Sequence, residues 1–152
     1  MAQALAEAGA ELILWARNKR GLKREALALH QHGRRLLVQP VDVTDQALVR
    51  RALRSALKTF GHIDVLINNA GIWDGDEALR LNRRSWDRVV ATDLTSVFFV
   101  SQAVAPAMIR QRYGKIINIA STAGLLALPH AGVYGTVKAG LFHLTKILAV
   151  EW

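Results

Sequence analysis

Four short, largely apolar segments that alternate with helical stretches constrain the fold of this chain more than any other feature. They lie at residues 12–15, 36–38, 63–67 and 116–119. Runs of this kind are typical of strands buried in a parallel sheet, with the helices between them as crossover connections. The pattern predicts an open, doubly wound α/β fold with a parallel sheet, helices on both faces and a single domain over residues 1–152.

The helical stretches show apolar residues at helical spacing together with residues that start or stop helices. We predict helices over residues 2–9, 19–32, 46–59 and 85–111, and from residue 133 to the end of the chain. The segment 42–45 supplies the turn and the N-cap residues before the third helix. Pro106 lies inside the long fourth helix, where its missing N–H and its ring predict a kink or a break.

The two ends of the chain depart from a complete nucleotide-binding sheet. Such a sheet opens with a strand and a Gly-rich turn that feeds a helix N-terminus. Here no two glycines stand two residues apart, and no strand follows the last predicted helix. We therefore expect the first strand with its Gly-rich loop, and the C-terminal strands, to be missing from this chain.

Composition restricts the environment and the partners. The chain has no cysteine, which excludes disulfides and thiolate metal sites and favours a reducing cytoplasm. No signal peptide or membrane span is expected. The net charge is +8, and residues 1–60 hold 11 Lys and Arg against 5 Asp and Glu. This excess predicts an anionic partner, and a phosphorylated small molecule explains it better than nucleic acid, because no aromatic residues are interleaved for base stacking.

Tyr134 and Lys138 are four residues apart in the last predicted helix, so their side chains share one face about one turn apart. A nearby ammonium favours phenolate over phenol and makes the tyrosine a usable proton donor or acceptor. The pair alone is weak evidence, since an aromatic side chain packed beside a solvated lysine is common on helices.

Three further segments stand directly after predicted strands, where open α/β sheets place their ligands. Ser121 can hydrogen-bond a carbonyl there, although a turn or capping serine is the simpler interpretation. The segment 68–71, Asn-Asn-Ala-Gly, allows close approach to a flat ligand, or is merely a turn. Asp42 could contact an adenine, although capping the next helix explains it equally well.

Four motifs in order resemble the classical short-chain dehydrogenases/reductases over essentially the whole chain. They are Asp42-Val43-Thr44, Asn68-Asn69-Ala70-Gly71, Asn118-Ile119-Ala120-Ser121 and Tyr134-Gly135-Thr136-Val137-Lys138. The resemblance implies a Rossmann-like fold and an oxidoreductase that transfers a hydride between a nicotinamide cofactor and an alcohol or carbonyl carbon.

The resemblance also implies residue roles. Tyr134 would exchange a proton with the substrate oxygen, Ser121 would hold that oxygen, and Lys138 would bind the nicotinamide ribose and promote ionisation of the tyrosine. The remaining residues would bind the cofactor: Asn68, Ala70 and Gly71 along its length, and Asp42 and Val43 at the adenine.

The chain departs from the family at Asp93. Similar enzymes have an asparagine there that helps to hold a water in the proton relay, whereas this chain reads Thr92-Asp93-Leu94-Thr95. Aspartate keeps an acceptor, loses the amide donor and adds a charge. We still place Asp93 with the catalytic residues.

Arg17 bears on the choice of cofactor. Enzymes of this type that prefer NAD usually have an acid at the end of the strand where this chain has Ala16 followed by Arg17. A guanidinium suits a 2′-phosphate, so we expect NADP(H) to be favoured over NAD(H). The alternative interpretation is that residues 17–20 are only the solvated start of a helix and do not bind a cofactor.

Other possibilities stay open at this point. The chain could be a catalytically inactive fragment or scaffold that pairs with a full-length relative. Sugar alcohols, steroids and acyl thioesters all remain as substrates. We predict no metal site, a surface role for His130, no nucleic-acid or membrane partner, and a homo-oligomer for the complete protein.

Overall fold

The computed structural model describes residues 1–152, which form two compact units, Met1–Gly61 and His62–Trp152. Each unit contains one pair of parallel strands together with helices. The predicted α/β class with parallel strands is therefore confirmed. The prediction of one domain over the whole chain stays a prediction.

The first unit contains three helices and two strands. They are α1 (Ala2–Glu7), β1 (Leu12–Ala16), α2 (Lys19–His30), β2 (Leu36–Pro40) and α3 (Gln46–Phe60). The two strands pair in parallel register, with Leu12 opposite Leu36. A small core of Ala6, Leu12 and Leu29 joins both kinds of element. The order of elements follows the apolar pattern of the sequence closely.

Short polar side chains start the second and third helices of this unit. Asn18 accepts hydrogen bonds from the N–H groups of Arg20 and Gly21 at the start of α2, each at 3.0 Å. Asp45 does the same for Ala47 and Leu48 at the start of α3. The N-cap of α3 is thus Asp45, and the interpretation of Asp42 as that cap is wrong. Asp42 instead accepts bonds from Thr44 in the preceding turn.

The second unit contains the remaining strands and the longer helices. They are β3 (Val65–Asn68), α4 (Arg83–Val90), a π-helical turn (Ala91–Thr95), α5 (Ser96–Gln111), β4 (Lys115–Asn118), a 3₁₀ turn (Thr122–Gly124) and α6 (Gly132–Glu151). Strands β3 and β4 are parallel, with Asn68 opposite Asn118. This register places the segments that follow the two strands at one edge of the sheet.

The long fourth helix is not a regular α-helix. The predicted stretch 85–111 begins at Arg83 and is interrupted by the π-helical turn, which separates α4 from α5. Pro106 lies within α5 without ending it, so the predicted break there is not found. By length and hydropathy alone, Arg83–Gln111 could cross a membrane. Half of an 18-residue window of this stretch is buried inside the protein, and one such helix is weak evidence for a membrane span.

Helix α6 packs closely on its neighbours near its start. Val133 and Val137 form a core cluster with Val89 of α4. A Cβ at Gly124 would lie 2.6 Å from the Lys138 carbonyl carbon, and one at Gly135 would lie 2.8 Å from the Ala123 oxygen. Only glycine allows the 3₁₀ turn and the helix to approach this closely. The contact fixes the turn against the helical turn that carries Lys138.

Candidate active site

A buried polar network joins the ends of β3 and β4. The amide of Asn68 donates to Ser101 Oγ at 2.9 Å and to Asn118 Oδ1 at 2.8 Å. The Asn118 amide donates in turn to Thr145 Oγ1 at 2.9 Å. Both N–H bonds of the Asn68 amide are therefore used inside the protein. The exposed residues Asn69, Ala70 and Gly71 follow it at the sheet edge.

Lys138 projects from α6 toward this edge and is almost completely buried. Its ammonium donates to the Ile119 carbonyl oxygen at 3.0 Å and lies 3.1 Å from Asp93 Oδ2. The contact with Asp93 is an ion pair, but Oδ2 accepts no hydrogen bond because the geometry is unsuitable. An ammonium carries three N–H bonds, so at least one donor remains for a ligand hydroxyl.

Asp93 lies in the π-helical turn and connects that turn to the segment after β3. Its Oδ1 accepts a hydrogen bond from the Ile72 N–H at 2.8 Å. A Cβ at Gly71 would lie 2.8 Å from Asp93 Oδ2, so glycine is needed there for close packing. π-Helical turns are rare and are often found at functional sites. In this chain the turn presents the carboxylate to two other segments at once.

Tyr134 stands one turn before Lys138, as the spacing predicted. The ammonium lies 5.4 Å from the centre of the Tyr134 ring. Another neighbour of that ring is Trp73, whose ring centre is 4.8 Å away at an interplanar angle of 66°. The tyrosine is half-buried.

Ser121 caps the 3₁₀ turn that packs against α6. Its hydroxyl accepts a hydrogen bond from the Ala123 N–H at 3.2 Å. The capping interpretation of this serine therefore describes its local role. A hydroxyl has one donor and two acceptor lone pairs, so Ser121 can still donate to a ligand oxygen while it caps the turn.

The first unit brings together two of the predicted cofactor residues, Arg17 and Asp42. Arg17 Nη1 lies 4.0 Å from Asp42 Oδ2, and both side chains reach solvent. Hydrogen bonds from the Thr44 hydroxyl and backbone N–H, with a smaller contribution from Arg17, lower the pKa of Asp42. Val43, between the two bonded residues, is half-buried.

The sequence did not identify several residues that shape the site. Ser101 and Thr145 complete the Asn68 network, but on helices they look like ordinary small polar residues. Trp73 was missed because it lies in an irregular segment where no periodicity marks it.

His130 is exposed and adopts a left-handed conformation with φ of 61°, next to the start of α6.

The second unit thus gathers a phenol, an ammonium, a hydroxyl and a buried carboxylate at one sheet edge. This donor set suits proton exchange with a ligand oxygen and hydrogen bonding to sugar hydroxyls. It fits a nicotinamide nucleoside, because the spare Lys138 donor matches a ribose hydroxyl and the small residues after Asn68 permit close approach. No group of His, Cys, Asp and Glu side chains could hold a metal ion.

Comparison with known proteins identifies the family. The model for the short chain dehydrogenase family matches residues 1–152, and the chain belongs to that family. It is 38% identical to gluconate 5-dehydrogenase of Gluconobacter oxydans over 152 residues, which cover 100% of this chain and 59% of the relative. It is 35% identical to a 3-oxoacyl-[acyl-carrier-protein] reductase of Escherichia coli over 151 residues, which cover 99% of this chain and 61% of that protein.

Solved structures agree with the Rossmann-like fold predicted from the sequence. An actinorhodin polyketide ketoreductase with NADPH superimposes with a TM-score of 0.95 at 33% identity, over 99% of this chain and 58% of that one. An NAD⁺-bound xylitol dehydrogenase gives a TM-score of 0.94 at 33% identity, with the same coverage. The chain spans about 60% of the length of the relatives named here.

Proposed function

We propose that this protein is an NAD(P)-dependent oxidoreductase that interconverts an alcohol and a carbonyl compound. The observation that carries the proposal is the cluster of Tyr134, Lys138 and Asp93 beside the carboxyl ends of β3 and β4. Lys138 Nζ lies 5.4 Å from the Tyr134 ring centre and 3.1 Å from the Asp93 carboxylate. Family membership supplies the class of reaction.

In this proposal the protein supplies positions and a proton. When bound, the nicotinamide supplies or accepts the hydride. During reduction Tyr134 gives its phenolic proton to the carbonyl oxygen, while the Ser121 hydroxyl donates a hydrogen bond to the same oxygen. During oxidation the proton returns to the phenolate. Lys138 would donate a free N–H to a ribose hydroxyl of the bound cofactor, and Asp93 holds the ammonium in place.

Two groups of residues would hold the cofactor. The exposed Ala70 and Gly71 lie at the sheet edge beside Lys138, while the Asn68 side chain supports the strand ends from inside. Within the first unit, Arg17, Asp42 and Val43 would bind the adenosine portion. We keep the predicted preference for NADP(H), because the exposed Arg17 guanidinium can form paired bonds to a 2′-phosphate.

The relatives do not decide this preference. One similar structure contains NADPH and another contains NAD⁺.

The proposal also includes a cytoplasmic location, which the absence of cysteine favours, and a homo-oligomer for the complete protein.

The proposal is tested by cofactor binding and by oxidation of NADPH with a carbonyl substrate. Binding of NADPH and NADH is followed by fluorescence titration of the wild-type chain and of Arg17→Ala. We expect tighter binding of NADPH, and we expect Arg17→Ala to reduce that difference about tenfold, as loss of a charged phosphate contact does. Equal affinity for both cofactors would contradict the role of Arg17.

The role of Tyr134 is tested with the other tyrosine as a matched control. Tyr134→Phe should lower the rate of NADPH oxidation by at least about a hundredfold, because the proton donor is lost. Tyr113→Phe, which alters the only other tyrosine, should leave the rate unchanged. A folded chain that binds neither cofactor would support the alternative of an inactive scaffold.

A further inference from the structure

The indole of Trp73 lies against the proposed proton donor and remains largely open to solvent. Its ring meets the Tyr134 ring edge to face, with 4.8 Å between the centres, and 56% of Trp73 is exposed. An exposed aromatic ring offers apolar area that a bound molecule can cover favourably. The free surface of this indole therefore adjoins the place where the substrate oxygen would meet the tyrosine.

Trp73 is held in this position by the segment that carries it. A Cβ on Gly75 would lie 2.6 Å from Trp73 Cζ2 and 2.6 Å from the His130 carbonyl oxygen, so the indole packs directly over this glycine. Asp76 forms a bridge to Ala131, immediately before α6. Asp74 pairs with Arg88 of α4. These three contacts fix the segment, and they hold the exposed indole in one position beside Tyr134.

The connection between Ser121 and Tyr134 is also apolar and exposed. Leu125, Leu126 and Leu128 lie on it and are 72%, 62% and 48% exposed. Three exposed leucines within four positions are unusual for a solvated loop. Each of the two segments that border the proposed proton donor therefore presents exposed apolar side chains.

We propose that Trp73 is a substrate-contacting residue that determines specificity, and that the site takes a carbonyl compound bearing an aromatic or branched apolar group. This inference rests on the proposed oxidoreductase function and deepens it. Such a group would cover the indole and the leucines while the carbonyl oxygen reaches Tyr134 and Ser121. A small polyol would place its hydroxyls against the same surfaces without hydrogen-bond partners, which disfavours it.

The test compares an aryl ketone with a small polar ketone. Acetophenone and dihydroxyacetone are each reduced with NADPH by the wild-type chain and by Trp73→Ala, Trp73→Phe and Trp86→Ala. Trp86 is the matched control, because it is another exposed tryptophan of the same unit, on α4. Binding of acetophenone is measured separately by saturation-transfer NMR, which needs no turnover.

We expect Trp73→Ala to lower kcat/KM for acetophenone about tenfold, the size of one aromatic contact, and that for dihydroxyacetone less than about twofold. Trp73→Phe should recover most of the loss, and Trp86→Ala should change neither value. Equal losses for both ketones, or the same selective loss in Trp86→Ala, would overturn the inference and leave the oxidoreductase proposal standing.

Failure of the proposed function gives a different result. In that case the wild-type chain reduces neither ketone and does not bind NADPH. The NMR measurement then shows by itself whether Trp73 contacts acetophenone. Saturation transfer to acetophenone that disappears in Trp73→Ala supports the apolar contact, and its absence in the wild-type chain overturns it.

Discussion

The Lys138 ammonium and the Asp93 carboxylate form a buried ion pair, with 3.1 Å between Nζ and Oδ2 and side chains that are 6% and 0% exposed. The second carboxylate oxygen binds the Ile72 N–H. One side chain thus connects the π-helical turn, the segment after β3 and helix α6. We infer that Asp93 contributes to the geometry of the site as much as to its charge.

Removal of the Asp93 carboxylate should be strongly destabilising. Asp93→Ala leaves a buried ammonium without its counter-charge and the Ile72 N–H without an acceptor, which costs about 3–5 kcal/mol in the free energy of unfolding. Asp93→Asn keeps the acceptor for Ile72 and should cost less, about 1–3 kcal/mol. Urea unfolding followed by circular dichroism measures both values.

An exposed ion pair of the same unit provides the control for this series. Asp87 pairs with Arg83 on the surface of α4, at 2.7 Å and one turn apart. Asp87→Ala should change the free energy of unfolding by no more than about 0.5 kcal/mol, because solvent screens such pairs. Similar losses for Asp87→Ala and Asp93→Ala would show that burial does not determine the cost.

The Asn68 amide should matter for stability, although the sequence suggested a cofactor contact. Asn68→Ala removes the donor to Ser101 and Asn118 and leaves their oxygens without that partner, so we expect a loss of about 1–3 kcal/mol. Asn69→Ala, at the exposed neighbouring position, should have little effect. Equal unfolding midpoints for the two variants in urea would show that the network contributes nothing.

The sequence predicted the helices and strands well where they depend on residues that are close together in the chain. The apolar runs located all four strands, and the glycines and short polar residues located most helix ends. The π-helical turn at 91–95 was not predictable, because Ala-Thr-Asp-Leu-Thr carries no local signal for it. At Pro106, where local chemistry predicts a kink or a break, α5 continues without a break.

The candidate site was also predictable only in part, because local sequence patterns do not show which distant segments come into contact. Tyr134 and Lys138 share a helix, so their spacing was enough to place them together. The direct contact of Lys138 with Asp93, and of Tyr134 with Trp73, depends on segments that are distant in the chain. Family resemblance identified Asp93 as a position of interest, but it did not predict the ion pair.

A side chain at Gly71 should destabilise the protein, because a Cβ there would lie 2.8 Å from Asp93 Oδ2. Gly71→Ala must displace either the carboxylate or the segment after β3, which should cost about 1–3 kcal/mol. At Gly132, in the first turn of α6, an added Cβ would meet no atom within 4 Å. Gly132→Ala should therefore stabilise the protein by about 0.5–1 kcal/mol, because alanine has less conformational freedom than glycine in the unfolded chain. Thermal and urea unfolding of the two variants compare them directly, and a neutral Gly71→Ala would contradict the close packing.

Thr44 should stabilise the first unit only while Asp42 is ionised. Bonds from Thr44 lower the pKa of Asp42, so this stabilisation is present above the pKa of the unfolded carboxyl, about 4, and is lost as the pH falls through the lower folded value. Thr44→Val removes the hydroxyl donor, 2.7 Å from Asp42 Oδ1, and keeps the backbone N–H. We expect a loss of about 0.5–1 kcal/mol at pH 7, because the pair is partly exposed, and a smaller loss below about pH 4. Urea unfolding at about pH 7, 4 and 2.5 measures this difference. In an Asp42→Asn background the effect of Thr44→Val should not change with pH, and a pH-dependent effect there would assign the titration to another group.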